Sequence, residues 1–219
     1  MFEIAIAIAI VKHMLTLYSM PSSGNSYKVR LLLALLNIPF RVIETEYDGG
    51  KELTKTPEFR AKNPHGRVPL LVLEDRRLLS ESNAILLYLA EGTRFVPQEK
   101  FARAKVHQWM FWEQNSHEGA IAVRAAILRY PERAHLRTPE VLGPLLVSGN
   151  HCLSVMETQL KQTRYLAGDV YTVADICLYG YTHSAEQGGF DLNLFPAIEA
   201  WLKRVASEPG HVPLQWAPT

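Results

Sequence analysis

The stretch "LTLYSMPSSGNSYKVRLLLALLNIPFRVIETEY" (residues 15–47) contains three successive residue patterns. LTLY (15–18) has the composition of a short strand, and FRVIETEY (40–47) has that of a second one. Between them, four apolar residues recur at the spacing of one helix face: Val29, Leu32, Leu33 and Leu36. Asn37 and Pro39 end that helix. Because a single helix separates the strands, the stretch predicts a βαβ unit with parallel strands.

The segment that follows predicts a second, antiparallel unit. VPLLVLEDRRLLSES (68–82) has two apolar runs around a polar turn, which is typical of a hairpin. PEFRAK (57–62) precedes it as a short helix, and SNAILLYLA (82–90) follows it as a longer one. Beyond residue 100 the strand pattern stops, and four stretches favour helix: 101–129, 139–163, 173–185 and 197–206.

A βαβ–ββα order in which a proline opens the hairpin is the plan of a thioredoxin-like fold. The predicted fold class is therefore α+β followed by all-α. We predict a thioredoxin-like domain over residues 14–90, a linker over 91–98 that contains glycine and proline, and an all-α domain over 99–219.

Residues 1–13 are an apolar N-terminal extension with an Ile/Ala alternation. The ten residues FEIAIAIAIV are about half of what spans a bilayer, and they lack the features of a signal peptide. Two interpretations remain open. The extension is dispensable and Met14 is the true start, or the extension adds an edge strand to the sheet.

The composition excludes several classes of function. Lys and Arg number 23 against 22 Asp and Glu, so the formal net charge of +1 does not indicate a nucleic-acid or membrane surface. Cys152 and Cys177 are too few for a disulfide framework. The eight histidines form neither an HExxH motif nor a Cys/His cluster with metal-ligand spacing. We expect a cytoplasmic protein without a metal.

Three segments carry a resemblance to a known family: NPHGRVPLL (63–71), ESNAILLYL (81–89) and LAGDVYTVADICL (166–178). With the serine-bearing turn at residues 21–26, they resemble a cytosolic-type glutathione transferase that is bacterial-like and of the serine type (theta-, delta- or nu-like). The resemblance spans most of residues 14–206.

That resemblance implies glutathione as co-substrate, a homodimer, and a detoxification reaction in which the glutathione thiolate is conjugated to small hydrophobic electrophiles. Two alternatives stay open. One is a glutathione-dependent isomerase, dehalogenase or peroxidase on the same fold, and the other is a non-catalytic module that binds glutathione or another ligand.

The resemblance also implies five glutathione-binding residues: Arg67, Val68, Pro69, Glu81 and Ser82. A cis peptide bond is expected at Val68-Pro69, with the Val68 backbone paired to the tripeptide. Arg67 stands where relatives often carry a lysine for the glycyl carboxylate. Ser82, at a helix start, suits the γ-glutamyl carboxylate, and Glu81 suits the ammonium group. The alternatives are an edge-strand proline, a surface arginine, a solvated acid and a plain N-cap.

The sulfur site must stabilise an anion, because the thiolate is the nucleophile. Lowering a thiol pKa by about two units takes about 2.7 kcal/mol. A helix N-terminus contributes about 0.3 to 1 kcal/mol and a hydrogen bond to a charged group about 1.5 to 3 kcal/mol, so a hydroxyl at a helix start combines both.

By the resemblance, Ser23 holds the activating hydroxyl, and Asn25 corresponds to an asparagine near the sulfur in nu-like relatives. Tyr18 is a weaker alternative for the same role, because it more often belongs to the core. We expect Ser22 to be a turn or cap residue, and Ser26 to lie on the first helical turn and to face solvent or a dimer partner.

The electrophile pocket is predicted along the helix at residues 106–127. Trp109 and Trp112, spaced i and i+3, offer an apolar wall and Asn115 or His117 a polar contact, although such spacing is more often found in a core. Residues 209–219 either fold over this pocket or fray. Thr172 and Asp175 match a capping box and are given a structural role.

Overall fold

The structure is a computed structural model that describes residues 14–45 and 52–218. The N-terminal extension over residues 1–13 and the last residues of the predicted second strand, 46 and 47, lie outside the described residues.

The first half is a four-stranded mixed sheet with helices. The strands are β1 (Leu15–Ser19), β2 (Phe40–Glu44), β3 (Leu70–Val72) and β4 (Leu78–Ser80). The helices are α1 (Gly24–Leu35), α2 (Pro57–Lys62) and α3 (Ser82–Ala90). The strand order is β2-β1-β3-β4, with β1 parallel to β2 and antiparallel to β3. Both predicted units, the βαβ unit and the hairpin, are confirmed.

The second half is helical, as predicted. Its helices are α4 (Lys100–Trp112), α5 (Glu118–Arg129), α6 (Pro139–Leu160), α7 (Val173–Thr182) and α8 (Pro196–Ala206). The predicted single helix over 101–129 is interrupted by a π-helical turn at Glu113–His117. The fold class is that of an N-terminal thioredoxin-like domain and a C-terminal helical domain.

Helix α1 lies between two hydrophobic clusters. Val29 and Leu33 pack with the sheet, whereas Tyr27 and Leu32 pack with the helical half. A Cβ on Gly24 would lie 2.4 Å from the Tyr181 ring, so α1 and α7 approach closely at that point. This contact brings α7 to the first turn of α1.

Helix α7 begins with the predicted capping box, which the structure confirms. The Asp175 carboxylate accepts hydrogen bonds from Thr172 N at 3.0 Å, Leu166 N at 2.9 Å and Trp201 Nε1 at 3.0 Å. Burial raises the pKa of Asp175 to about 6. Both capping side chains are buried, so this helix start faces the protein interior.

The C-terminal segment packs on α1. Tyr27 donates to the Val212 carbonyl at 2.7 Å, and the Arg30 guanidinium donates to the Leu214 carbonyl at 2.6 Å. Arg30 also donates to the Pro21 carbonyl, in the turn before α1, at 3.2 Å. Leu214 thereby reaches the edge of the cleft described below. Within residues 14–45 and 52–218, no helix has the length and apolar character needed to cross a membrane.

Candidate functional site

A cleft of about 500 Å³ opens where the turn between β1 and α1 faces α5 and α7. The first half contributes the turn residues 22–25 and the loop 66–68 to its lining. The helical half contributes residues of α5 and the end of α7, including Tyr181. The two domains therefore build this cleft together, with the N-terminus of α1 at its wall.

Ser23 is the N-cap of α1, and its Oγ accepts a hydrogen bond from Ser26 N at 3.2 Å. A hydroxyl has one proton to donate in addition to the lone pairs with which it accepts. Among the residues that the structure describes, no acceptor takes the Ser23 proton. Ser23 is half-buried and lines the cleft. It caps the helix and still has a donor for a ligand.

The other hydroxyls of this region are engaged elsewhere. Ser22 Oγ lies 2.8 Å from the Tyr130 hydroxyl, a hydrogen bond that joins the two sides of the cleft. Ser26 is fully buried and accepts from the backbone of the preceding turn at 3.3 Å, so the expectation that it faces solvent or a partner is wrong. Tyr18 is buried in the sheet, where its hydroxyl accepts from Lys62 Nζ at 2.8 Å.

Asn25 is held at every polar atom of its amide. Its Oδ1 accepts from Lys28 Nζ at 2.7 Å and from Ser82 Oγ at 3.0 Å, and its Nδ2 donates to Glu118 Oε1 at 2.7 Å. An ammonium only donates and a carboxylate only accepts, so these partners fix the orientation of the amide. Of the acceptors that the structure describes, Glu118 alone accepts a hydrogen bond from Nδ2, so the second N–H group of the amide has no described acceptor. Asn25 N donates to the Tyr181 hydroxyl at 3.3 Å.

Lys28 and Glu113 form a buried ion pair behind Asn25. The distance between Lys28 Nζ and Glu113 Oε1 is 2.8 Å, and both side chains are 0% exposed. Burial alone would lower the pKa of Lys28, but the facing acids Cys177, Glu113 and Glu118 hold it above its usual value. Burial likewise opposes ionisation of Glu113, but the neighbouring Lys28 ammonium holds the pKa of the Glu113 carboxyl below its usual range. A charged pair therefore orients Asn25.

The π-helical turn supplies the carboxylate of this pair. It directs both Glu113 and His117 into the interior, where His117 Nε2 lies 2.9 Å from Thr182 Oγ1. Burial lowers the pKa of His117 to about 4, so the ring is neutral at physiological pH. Single π-helical turns are frequent at functional sites. The sequence did not predict this turn or the ion pair, because a lysine or a glutamate in a helix is ordinarily solvated.

The loop before β3 forms another edge of the cleft. The Val68-Pro69 peptide bond is cis. Asn63 Nδ2 donates to the Arg67 carbonyl at 2.8 Å and so fixes the loop, while the Arg67 side chain is exposed. Within the described part of the chain, Val68 makes no backbone hydrogen bond. Its N–H and C=O remain open to an extended ligand.

Glu81 and Ser82 lie at the start of α3. Glu81 is exposed and has φ +70°, a left-handed conformation that costs a non-glycine residue about 1 to 3 kcal/mol and clusters at functional sites. Ser82 is buried, and its hydroxyl donates to Asn25. The structure thus joins the start of α3, expected to bind the γ-glutamyl group, to the start of α1, expected to bind the sulfur.

Trp109, Trp112 and Asn115 are not brought to this cleft. The two indole rings lie edge to face at 5.2 Å and line a separate depression against α6, and Asn115 is exposed on the π-helical turn. The wall opposite the β1–α1 turn is formed by α5 and the residue after it. The side chains of this wall, which sequence analysis missed, are Ala122, Val123, Ala126, Arg129 and Tyr130.

Two family models match the chain: "Glutathione S-transferase, N-terminal domain" over residues 17–94 and "Glutathione S-transferase, C-terminal domain" over residues 147–209. The crystal structure of glutathione S-transferase from Pseudomonas fluorescens Pf-5 is 46% identical, with a TM-score of 0.87 over 92% of this chain and 99% of that one. The chain belongs to the glutathione S-transferase family. A possible glutathione S-transferase from Rhodopseudomonas palustris is 47% identical, with a TM-score of 0.87 over 94% of this chain and 92% of that one.

A curated relative of this glutathione S-transferase carries a different activity in its name. Disulfide-bond oxidoreductase YfcG from Escherichia coli K12 is 28% identical over 90% of this chain and 92% of its own length. Other solved structures with this fold hold glutathione, two molecules per subunit in a 25% identical homolog from Lodderomyces elongisporus. Within the described residues, no group of three or more His, Cys, Asp or Glu side chains is placed to hold a metal ion.

Proposed function

We propose that this protein binds glutathione and transfers its thiolate to small hydrophobic electrophiles. In this reaction the sulfur forms a bond to an electrophilic carbon, and the leaving group departs with its electron pair. One observation carries the proposal: the Ser23 hydroxyl caps α1, retains its proton and faces the cleft. A sulfur at the start of α1 would accept this proton in a hydrogen bond.

The interactions available at the start of α1 can stabilise the glutathione thiolate by about as much as the lowered thiol pKa requires. Lowering the pKa of the glutathione thiol by about two units needs about 2.7 kcal/mol. The Ser23 donor contributes about 1.5 to 3 kcal/mol and the α1 N-terminus about 0.3 to 1 kcal/mol. The remaining N–H of Asn25 Nδ2 adds a second donor. Ser23 keeps its own proton and acts as a hydrogen-bond donor, and the thiol proton of glutathione leaves to solvent when the thiolate forms.

The rest of glutathione follows the edges of the site. We assign its cysteinyl backbone to the N–H and C=O of Val68, which precedes Pro69, and its glycyl carboxylate to Arg67. The γ-glutamyl carboxylate goes to the N-terminus of α3 at Ser82, and the ammonium group to Glu81. The Ser82 hydroxyl has a single proton, which Asn25 already accepts at 3.0 Å. The backbone N–H groups of α3 therefore supply the main contact to that carboxylate.

The test is the ultraviolet thiolate band of the glutathione complex measured against pH. Ser23→Ala should raise the apparent pKa of the bound thiol by about one to two units and cut conjugation at neutral pH by about 10- to 100-fold. Glutathione affinity should stay nearly constant. Ser22→Ala is the matched control, because that hydroxyl bonds to Tyr130. An unchanged titration in Ser23→Ala would move the role to Asn25, because Tyr18 does not line the cleft.

A second candidate is glutathione-dependent reduction of disulfides, favoured by the name of the Escherichia coli relative. Cys152 and Cys177 are both buried, so the thiols would come from glutathione. One glutathione thiolate attacks the disulfide and releases a thiol, and a second attacks the mixed disulfide to give oxidised glutathione and another thiol. Parallel assays with hydroxyethyl disulfide and an aryl halide distinguish the two reactions. Absence of glutathione binding at millimolar concentration would contradict both.

A further inference from the structure

Two arginine side chains, Arg129 and Arg133, face the cleft from the helical side. Arg129 is the last residue of α5, and Arg133 lies in the 3-10 turn that follows the extended residue Tyr130. Both are exposed and both line the cleft. Neither forms an ion pair with any residue that the structure describes.

A third arginine nearby shows the contrast. Arg137 donates from Nε to the Ile127 carbonyl at 2.9 Å and from Nη2 to the Tyr130 carbonyl at 3.2 Å. It therefore braces the turn that carries Arg133. The Arg129 guanidinium lies 5.5 Å from the Tyr130 ring centroid, which leaves its N–H groups available. Arg137 thus holds the turn in place, while Arg129, at the end of α5, and Arg133, in the turn, line the cleft.

Among the described residues, the acids that line the cleft, Glu52 and Glu118, form no ion pair with Arg129 or Arg133. Glu118 accepts hydrogen bonds from Asn25 and Gln114, and Glu52 lies 3.8 Å from Lys55. In the proposed function, glutathione occupies the opposite wall, on the first domain. Two guanidinium groups are then left for the second substrate.

We propose that the second substrate carries a carboxylate or a comparable anion, which Arg129 and Arg133 bind, next to an apolar reacting group. The apolar part would lie on Ala122, Val123 and Ala126, one to two turns before Arg129 on the same helix. A guanidinium suits this role because its donors match carboxylate geometry in two parallel hydrogen bonds. The inference rests on the proposed function and names the substrate class of the same site.

The experiment compares 4-chloro-3,5-dinitrobenzoate with its methyl ester as acceptors at saturating glutathione. We expect the Arg129→Gln/Arg133→Gln double variant to raise KM for the acid by about 10- to 100-fold and KM for the ester by less than about 2-fold. Added salt should raise KM for the acid in the wild type alone. Arg41→Gln is the control, an exposed arginine on β2 outside the cleft lining.

If KM for the acid and KM for the ester rose equally in the double variant, or if Arg41→Gln raised KM for the acid as much, the inference would be overturned. The proposed transfer reaction would be unaffected by either result. If neither acceptor is turned over, the proposed transfer fails, and equilibrium binding of the two S-aryl glutathione conjugates decides the inference by itself. The wild type should then bind the carboxylated conjugate about 10-fold more tightly, and the double variant should lose that preference. Equal binding in the wild type would overturn it.

Discussion

Helices α1 and α7 start with the same local device and serve different purposes. Each has a hydroxyl N-cap, Ser23 in α1 and Thr172 in α7, whose oxygen accepts a backbone N–H of the first turn. At α7 the cap is buried, and Asp175 and Trp201 complete a closed network. At α1 the cap faces a cleft and keeps its proton. A helix start becomes a site when donors remain unused beside open space.

The two starts are also organised around buried charges of opposite sign. The carboxylate of Asp175 gathers N–H donors at α7, whereas the ammonium of Lys28 lies one turn inside α1 and holds the oxygen of Asn25. A buried charge that satisfies its own helix end serves stability. A buried charge that orients a neighbouring side chain toward a cleft serves the site, and the variants below separate these two roles.

The largest expected effect is that of Lys28→Met. It leaves the Glu113 carboxylate buried without its cation, and breaking such a pair costs about 3 to 5 kcal/mol of unfolding free energy, measured by urea titration. The Asn25 amide also loses one of the partners that fix its orientation. We therefore expect a raised pKa for the thiol of bound glutathione in addition to the loss of stability.

The Lys28→Met/Glu113→Met double variant separates those two effects. Replacing both charges with apolar side chains of similar size should recover most of the stability. It should not restore the thiol pKa, since Asn25 still lacks the Lys28 contact. Recovery of a normal thiol pKa in the double variant would mean that the orientation of Asn25 is unimportant.

Asp175→Ala tests the closed helix start. The N–H groups of Leu166, Thr172 and Trp201 would lose their acceptor in the interior, and we expect a loss of about 3 kcal/mol in urea unfolding. The thiol pKa of bound glutathione should equal that of the wild type in the folded fraction. A changed thiol pKa would show that the two helix starts are coupled.

Lowering the pH should change the stability contributions of His117 and Asp175 in opposite directions. The pKa of His117 is held near 4, below its unfolded value, so its contribution is present above about pH 6.5 and is lost as pH falls toward 4. The pKa of Asp175 is raised to about 6, so its contribution is present at low pH and is lost as pH rises through 6. His117→Leu should reduce the loss of stability between pH 7 and pH 5 by about 2 kcal/mol. An unaltered pH dependence would contradict the depressed pKa.

The sequence was sufficient for the parts of this comparison that depend on local spacing. The βαβ unit, the hairpin and the Thr172–Asp175 box each follow from residues within one turn or one crossover of each other. Their geometry is determined by the backbone period and by short-range hydrogen bonds, which a sequence displays directly. The N-cap of α1 does not belong to this class, because the turn has neighbouring serines: the cap role was expected at Ser22, and the structure places it at Ser23.

The helical wall of the cleft could not be predicted in this way. Asn115 stands three residues before Glu118, and a straight α-helix would direct both to one face. The π-helical turn Glu113–His117 changes the phase of the helix, so α5 faces the cleft while Trp109 and Trp112 face α6. A single widened turn leaves almost no mark in the residue pattern.

The buried ion pair could not be predicted from the sequence for a different reason. Lys28 and Glu113 are 85 positions apart, and a lysine in a helix is ordinarily solvated. The contact between Ser82 and Asn25 likewise joins segments that periodicity treats separately, 57 positions apart. Such pairs depend on how the two domains pack against each other. The spacing of residues within a single helix or strand carries no information about that packing.

The smallest expected change in stability is the sharpest test of the open helix start. Glycine is a tolerated N-cap, so Ser23→Gly should cost only a few tenths of a kcal/mol, against about 1 kcal/mol for Ser23→Ala. Both variants remove the hydroxyl donor, so both should raise the thiol pKa of bound glutathione by the same amount. Thr172→Gly, the matched change at the closed start, should leave that pKa unaltered. If the thiol pKa followed stability and Ser23→Gly behaved as wild type, Ser23 would be a cap alone, and the donor would have to be Asn25.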